Sequence, residues 1–244
     1  MDIHSRGRRT TDQMMQLPLI AIDGPAGSGK STTAKMVAQR LGIPYLDTGA
    51  LYRSVAWIMR KRGLSADNPT AITWLLDTIE ITFTDGESGT RVWIDKEEVT
   101  ENLRSPEISQ LTSVICVLPE IRERMELRQR QWADRGFGVM EGRDAGTVII
   151  PNAGLKIYLT ARPDVRAERR AIQLGISDDP KAVSKLAKDI AQRDKRDEKR
   201  AESPLCKAID AVEIDSSDLT FDQQVDQILK LAAERFELKM YVTR

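Results

Sequence analysis

Apolar and polar positions alternate between two regimes along the chain. Short apolar runs, four to six residues long, occur at Leu17–Ile22, Ile43–Asp47, Gly138–Glu141, Leu155–Leu159 and Ala211–Asp215, the length of a buried strand. Between them apolar residues recur at helical spacing. Ala34, Val37, Ala38 and Leu41 mark a helix over Ser31–Leu41 that Gly42 ends, and Asp47 or Thr48 caps a second helix running to about Arg62. A long helix is expected over Ile121–Arg135. Strands separated by helices pair in parallel, so the pattern predicts an α/β fold: a five-stranded parallel sheet flanked by helices. Ligands of such a sheet gather at the carboxyl ends of its strands. One segment breaks the rhythm. Ile79, Ile81 and Phe83 alternate with polar residues, Asp85–Thr90 reads as a turn, and Val92 and Ile94 alternate again. This is a β-hairpin, a small insert on the core, with Glu97–Thr100 as a candidate third strand.

The first strand runs directly into Gly24-Pro25-Ala26-Gly27-Ser28-Gly29-Lys30-Ser31, which fits G-x-x-x-x-G-K-[ST]. Glycines let such a loop curl so that backbone N–H groups point at phosphate oxygens, and the helix start adds unpaired donors. Lys30 would reach the β- and γ-phosphates, and the Ser31 hydroxyl would help hold Mg²⁺. The competing reading is a glycine-rich turn that binds nothing. Strand, loop, Lys-Ser pair and helix standing in register favour a nucleoside triphosphate, held by Gly24 to Ser31 and Thr32.

Composition narrows the picture by exclusion. Lysine plus arginine equal aspartate plus glutamate at 37 each, so no net field attracts nucleic acid or a membrane, and neither partner is expected. Cys116 and Cys206 give no disulfide framework, which points to a reducing compartment and a cytoplasmic protein. His4 is the single histidine, which leaves no Ser-His-Asp chemistry and no histidine-based metal site. Residues 1–16 read as a disordered leader without the apolar stretch of a signal peptide, leaving 17–244 as one domain. Charged residues at strand ends are the remaining candidates. Arg143-Asp144 follows a buried strand, and Arg193, Asp197 and Arg200 share one helix face. Alone, that face would be a solvated salt-bridge pattern, and Arg53 and Arg122 ordinary surface arginines. Beside a phosphate loop, a second phosphorylated substrate would need several cations facing Lys30.

The pieces G-P-A-G-S-G-K-S, L-D-T-G-A-L-Y-R, E-G-R-D-A-G-T-V and R-D-K-R-D-E-K-R-A-E-S-P-L occur in that order. Together they resemble bacterial cytidylate kinases, which transfer a phosphoryl group from ATP to CMP or dCMP. The resemblance runs from about Leu19 to the last helix. It implies a P-loop kinase core with a nucleoside monophosphate-binding insert at about 76–114, a short lid at about 170–186, Mg²⁺ with ATP, and a monomer. Carried over position by position, it places Thr48, Ser113, Arg122 and Asp144 around the nucleoside. Arg53, Arg143 and Arg193 fall around the CMP phosphate, and Asp197 with Arg200 around the sugar. Lys30, Arg143 and Arg193 would be catalytic, and Arg166, Arg169 and Arg170 would close over the ATP phosphates with the Gly175–Pro180 loop. The family often has Ser where this chain has Thr48, and many relatives have Met where Ala145 stands. A phosphate acceptor is already anionic near neutral pH, since its second pKa is about 6, so no general base is required. The rivals are a kinase for another small acceptor such as shikimate, and a switch GTPase. The latter needs N-K-x-D and D-x-x-G, and neither occurs in the chain.

Overall fold

The computed structural model describes residues 18–86 and 89–238. The leader at 1–16, Leu17 of the first expected strand, and Glu87 and Ser88 of the expected turn lie outside them. The chain runs β1 (Leu19–Asp23), α1 (Lys30–Leu41), β2 (Tyr45–Asp47), α2 (Thr48–Lys61) and α3 (Pro69–Thr78). Then come β3 (Ile81–Gly86), β4 (Gly89–Ile94), β5 (Glu97–Glu98), α4 (Pro106–Ile115) and α5 (Pro119–Ala133). The second half is β6 (Gly138–Gly142), a single π-helical turn (Ala145–Ile149), β7 (Leu155–Thr160), α6 (Pro163–Leu174), α7 (Pro180–Lys199), β8 (Val212–Asp215) and α8 (Phe221–Phe236).

The five core strands lie in the order β2-β6-β1-β7-β8, every neighbouring pair parallel. Capping follows the residues that predicted it. Asp47 accepts the N–H of Ala50 at 2.9 Å to start α2, and Gly42, at φ 65°, ends α1 in the left-handed conformation. The sheet is apolar on both faces. Ile20, Ile22, Val139 and Ile157 pack with Val37 of α1 and Ile228 of α8 on one side. Ala21, Leu46 and Met140 pack with Val55 and Met59 of α2 and Met125 of α5 on the other. The hairpin is a separate antiparallel sheet, β3-β4-β5, with Ile81 opposite Ile94 and Phe83 opposite Val92. Its third strand is two residues long, where Glu97–Thr100 was the expectation. Register aligns the carboxyl ends: Asp47 opposes Glu141, Gly142 opposes Asp23, and Asp23 opposes Tyr158. That edge holds the candidate site.

Candidate active site

The central strand β1 delivers the phosphate loop to the middle of this edge. A Cβ on Gly24 would stand 2.0 Å from the carbonyl oxygen of Leu159, so only glycine passes there. Gly27 and Gly29 take φ of 79° and 87°, turning the loop into the first residue of α1. Gly29 has no side chain with which to cap α1, which leaves its first N–H groups to a ligand. The Ser28 hydroxyl is buried in the loop without a partner among the described residues. Lys30 is 5% exposed and donates to the carbonyl of Pro25 at 3.2 Å. Burial, then the charges of Arg143 and Arg193, push its ammonium down to about 7.

Three carboxylates stand at the strand ends beside the loop. The Ser31 hydroxyl donates to Glu141 Oε1 at 2.6 Å, and Asp47 faces Glu141 from the next strand. Burial, then the neighbouring Asp47, raise Glu141 to about 7. Burial alone would raise Asp47 too, but the Arg53 guanidinium at 2.7 Å and bonds from Glu141 and Ala50 hold it below the usual carboxylate range. Asp23 is pushed up to about 6 by burial, although the N–H groups of Ala145 and Gly146 donate to it at 2.9 and 2.7 Å. It thereby ties the π turn after β6 to the root of the phosphate loop.

The other residues expected at the site come from α2, α4, α5, the β6 end and α7. Arg143 Nε donates to Asp197 Oδ2 at 2.9 Å. Arg193, half-buried one helical turn before Asp197, has a buried Nε that no acceptor meets among the described residues. Burial, then Arg143, lower its guanidinium to about 10. Arg122 is 2% exposed. It pairs with Asp144, donates through Nε to Glu126 at 2.8 Å, and lies over the Tyr52 ring. Arg200 approaches Asp144 to 3.7 Å. The Thr48 hydroxyl donates to the carbonyl of Glu141 at 2.8 Å, so its lone pairs remain for a ligand. The Ser113 hydroxyl donates to the carbonyl of Gln110, and the residue opens onto a groove of about 530 Å³ shared with Val117, Gln192 and Arg200.

The three candidate lid arginines part company. Arg166 is buried and donates to the carbonyls of Ala26 and Ala161 at 2.9 and 3.0 Å while pairing with Asp194. These bonds engage its Nε and Nη1. Arg169 holds Ser216 and the carbonyl of Ser28. Arg170 is half-buried, donates to Gln173, and feels the charge of Arg53. Thr32 is exposed at the start of α1.

Against this geometry, the family model described as cytidylate kinase matches residues 20–234. The chain belongs to the cytidylate kinase family. It is 44% identical over 219 residues to the cytidylate kinase of Ligilactobacillus salivarius (strain UCC118), covering 88% of this chain and 96% of that protein. The bifunctional pantoate ligase/cytidylate kinase of Synechococcus sp. (strain JA-3-3Ab) is 42% identical over 235 residues, 95% of this chain and 42% of that protein. The corresponding protein of Acaryochloris marina (strain MBIC 11017) is 40% identical over 235 residues, 93% and 45%. The chain thus spans less than half the length of these bifunctional relatives.

Within this cytidylate kinase framework the sequence pattern does not mark Asp23, Glu141 and Asp194 as site residues, and gives Asp47 as a cap and a polar group at a strand end. A signal was present for two of them. Asp23 and Glu141 are charges at the ends of fully apolar strands, and such a charge is retained where it has buried work to do. Asp194 stands inside a run of alternating charge, where nothing local separates it from its solvated neighbours.

Proposed function

We propose that this chain transfers the γ-phosphoryl group of ATP to CMP or dCMP, giving CDP or dCDP. The observation that carries the reading is the buried, unpaired Nε of Arg193, in a cluster where Arg193, Arg143 and Lys30 feel one another's charge. Three cations that Asp197 only partly offsets suit an anion, because clustered positive charge costs stability without one. Family membership supports the choice of nucleotide, and the Arg122–Asp144 pair supports the base. Cytosine presents acceptors at O2 and N3 and a donor at its amino group, matching a guanidinium and a carboxylate respectively. Lys30 and the loop N–H groups bind the donor phosphates; Arg53, Arg143 and Arg193 bind the acceptor phosphate. Thr48, Ser113, Arg122 and Asp144 bind the nucleoside, with Asp197 and Arg200 at the sugar. Segment 76–114 serves as the nucleotide-binding insert and 170–186 as the lid, with Arg170 as its phosphate contact.

The acceptor oxygen is anionic at neutral pH, so the chain's task is alignment and charge neutralisation, not proton removal. The donor set beside the loop suits Mg²⁺: the Ser31 hydroxyl with the oxygens of Glu141 and Asp47, all hard ligands. Mg²⁺ when bound supplies positive charge to the phosphates. Two adjacent carboxylates that ionise only reluctantly together are the kind of group that a divalent cation relieves. The reading is tested by diphosphate formation across a panel of nucleoside monophosphates.

A further inference from the structure

The phosphate loop is held by the same helix that carries the acceptor arginine. Both backbone polar groups of one loop residue are engaged: Ala26 N–H donates to Asp194 Oδ1 at 3.1 Å, and the Ala26 carbonyl accepts from Arg166 at 2.9 Å. Asp194 and Arg166 pair with each other, each side chain 8% exposed. Beneath them Ala26 packs with Ala167 of α6 and Ile190 of α7, with Leu186 and Ala187 alongside. Ile190 and Asp194 are one turn apart on α7, and Arg193 and Asp197 one turn apart on the adjoining face. One face of α7 therefore grips the donor loop while the next presents Arg193 and the Asp197-bound Arg143 to the acceptor.

We infer that Asp194, acting with Arg166, is a positioning residue that sets the phosphate loop relative to the acceptor arginines. Phosphoryl transfer needs the two reacting oxygens in line, and a displacement of about 1 Å can cost about a hundredfold in rate. A loop anchored to α7 through a buried ion pair keeps that spacing fixed within two turns of one helix. The carboxylate is suited to this, because one oxygen serves the backbone N–H and the other serves the guanidinium. The catalytic part of the inference rests on the kinase reading above; the loop-positioning part rests on the contacts alone.

The test compares Asp194→Ala and Asp194→Asn in the full chain, each measured well below its own melting temperature. Binding of a non-hydrolysable ATP analogue and of CMP is measured separately by calorimetry, and kcat with both substrates. Asp194→Ala should weaken the ATP analogue at least about tenfold and lower kcat by a comparable factor, a charge-assisted hydrogen bond being lost. CMP binding should stay near the wild-type value, because Arg193 and Asp197 remain. Asp194→Asn, which keeps an acceptor for Ala26 N–H, should lie closer to wild type in analogue binding. If Asp194→Ala fails to fold, Asp194→Asn with Arg166→Gln decides, both expected to weaken the analogue and spare CMP. Unchanged analogue binding in the folded variants, or CMP binding weakened as much as ATP, would overturn the inference. If wild type binds the analogue but phosphorylates neither CMP nor dCMP, the kinase reading fails while the loop-positioning result stands on its own.

Discussion

Arg193→Met separates a residue kept for function from one kept for the fold, because the two roles move stability in opposite directions. The guanidinium has a buried, unpaired Nε, and burial with the neighbouring Arg143 lowers it from the ordinary arginine range to about 10. At ~1.4 kcal/mol per unit, holding that charge costs the fold up to about 3 kcal/mol. Solvent reaching the half-buried side chain reduces this to about 1–2 kcal/mol. Methionine preserves much of the volume and removes the charge. For a chain of this size about 1 kcal/mol corresponds to about 2–4 °C, so Tm should rise by roughly 2–8 °C. At the same time the acceptor phosphate loses charge-assisted hydrogen bonds worth about 1.5–3 kcal/mol each. With two such bonds, kcat/KM for CMP should fall by about 10²–10⁴, while affinity for ATP holds. Scanning calorimetry and steady-state kinetics at saturating ATP read both effects on one preparation. A lower Tm with CMP kinetics unchanged would show that Arg193 is structural, and the reasoning from its unpaired Nε would be wrong.

Lys30→Ala should fold normally and lose nearly all transfer, by roughly 10³-fold or more, since the loop's one ammonium no longer meets the phosphates; turnover near wild type would remove the phosphate-loop assignment. Glu141→Gln carries a pH signature. Glu141 is raised from 4.5 to about 7 in the fold, so its contribution to stability is full below pH 4.5 and is lost as pH rises through 7. The glutamine variant lacks that loss. Its Tm advantage should be larger at pH 8 than at pH 5, and thermal melts showing an equal difference at both would contradict the shift. Asp144→Asn should narrow the preference for CMP over UMP, because an amide can offer N–H₂ to the uracil O4; competition kinetics with both nucleotides would show an unchanged ratio if Asp144 does not face the base.

Much of this fold is legible because its signals are local. Gly24 to Ser31 encode the loop within eight residues, and the apolar runs locate every core strand to within two residues of its observed bounds. Asp47 reads correctly as a cap because capping acts across three residues. Its second task, facing Glu141 from the adjacent strand, depends on a register that joins positions 94 residues apart. The same holds for Asp23, which serves backbone groups 122 and 123 residues away. Arg166 shows what a charge read without its partner leaves out. As one of several arginines on a helix it suggests a lid, and only the packing of α6 on α7 reveals Asp194 and Ala26 as its acceptors. The helices α3 and α4 are also missing from the pattern reading. Each begins at a proline and runs ten residues, too short for the apolar spacing to stand out against the neighbouring hairpin.

The central claim is that the cationic groups facing the phosphate loop receive a cytosine nucleotide. The most direct measurement follows diphosphate formation from ATP, Mg²⁺ and each of CMP, dCMP, UMP, AMP, GMP and shikimate under one set of conditions. The account predicts turnover of CMP or dCMP with kcat/KM at least about a hundredfold above UMP, because uracil would set its N3–H against the Arg122 guanidinium and its O4 against the Asp144 carboxylate, and no product from shikimate. Equal use of UMP and CMP, or a preference for any acceptor without the cytosine edge, would contradict it.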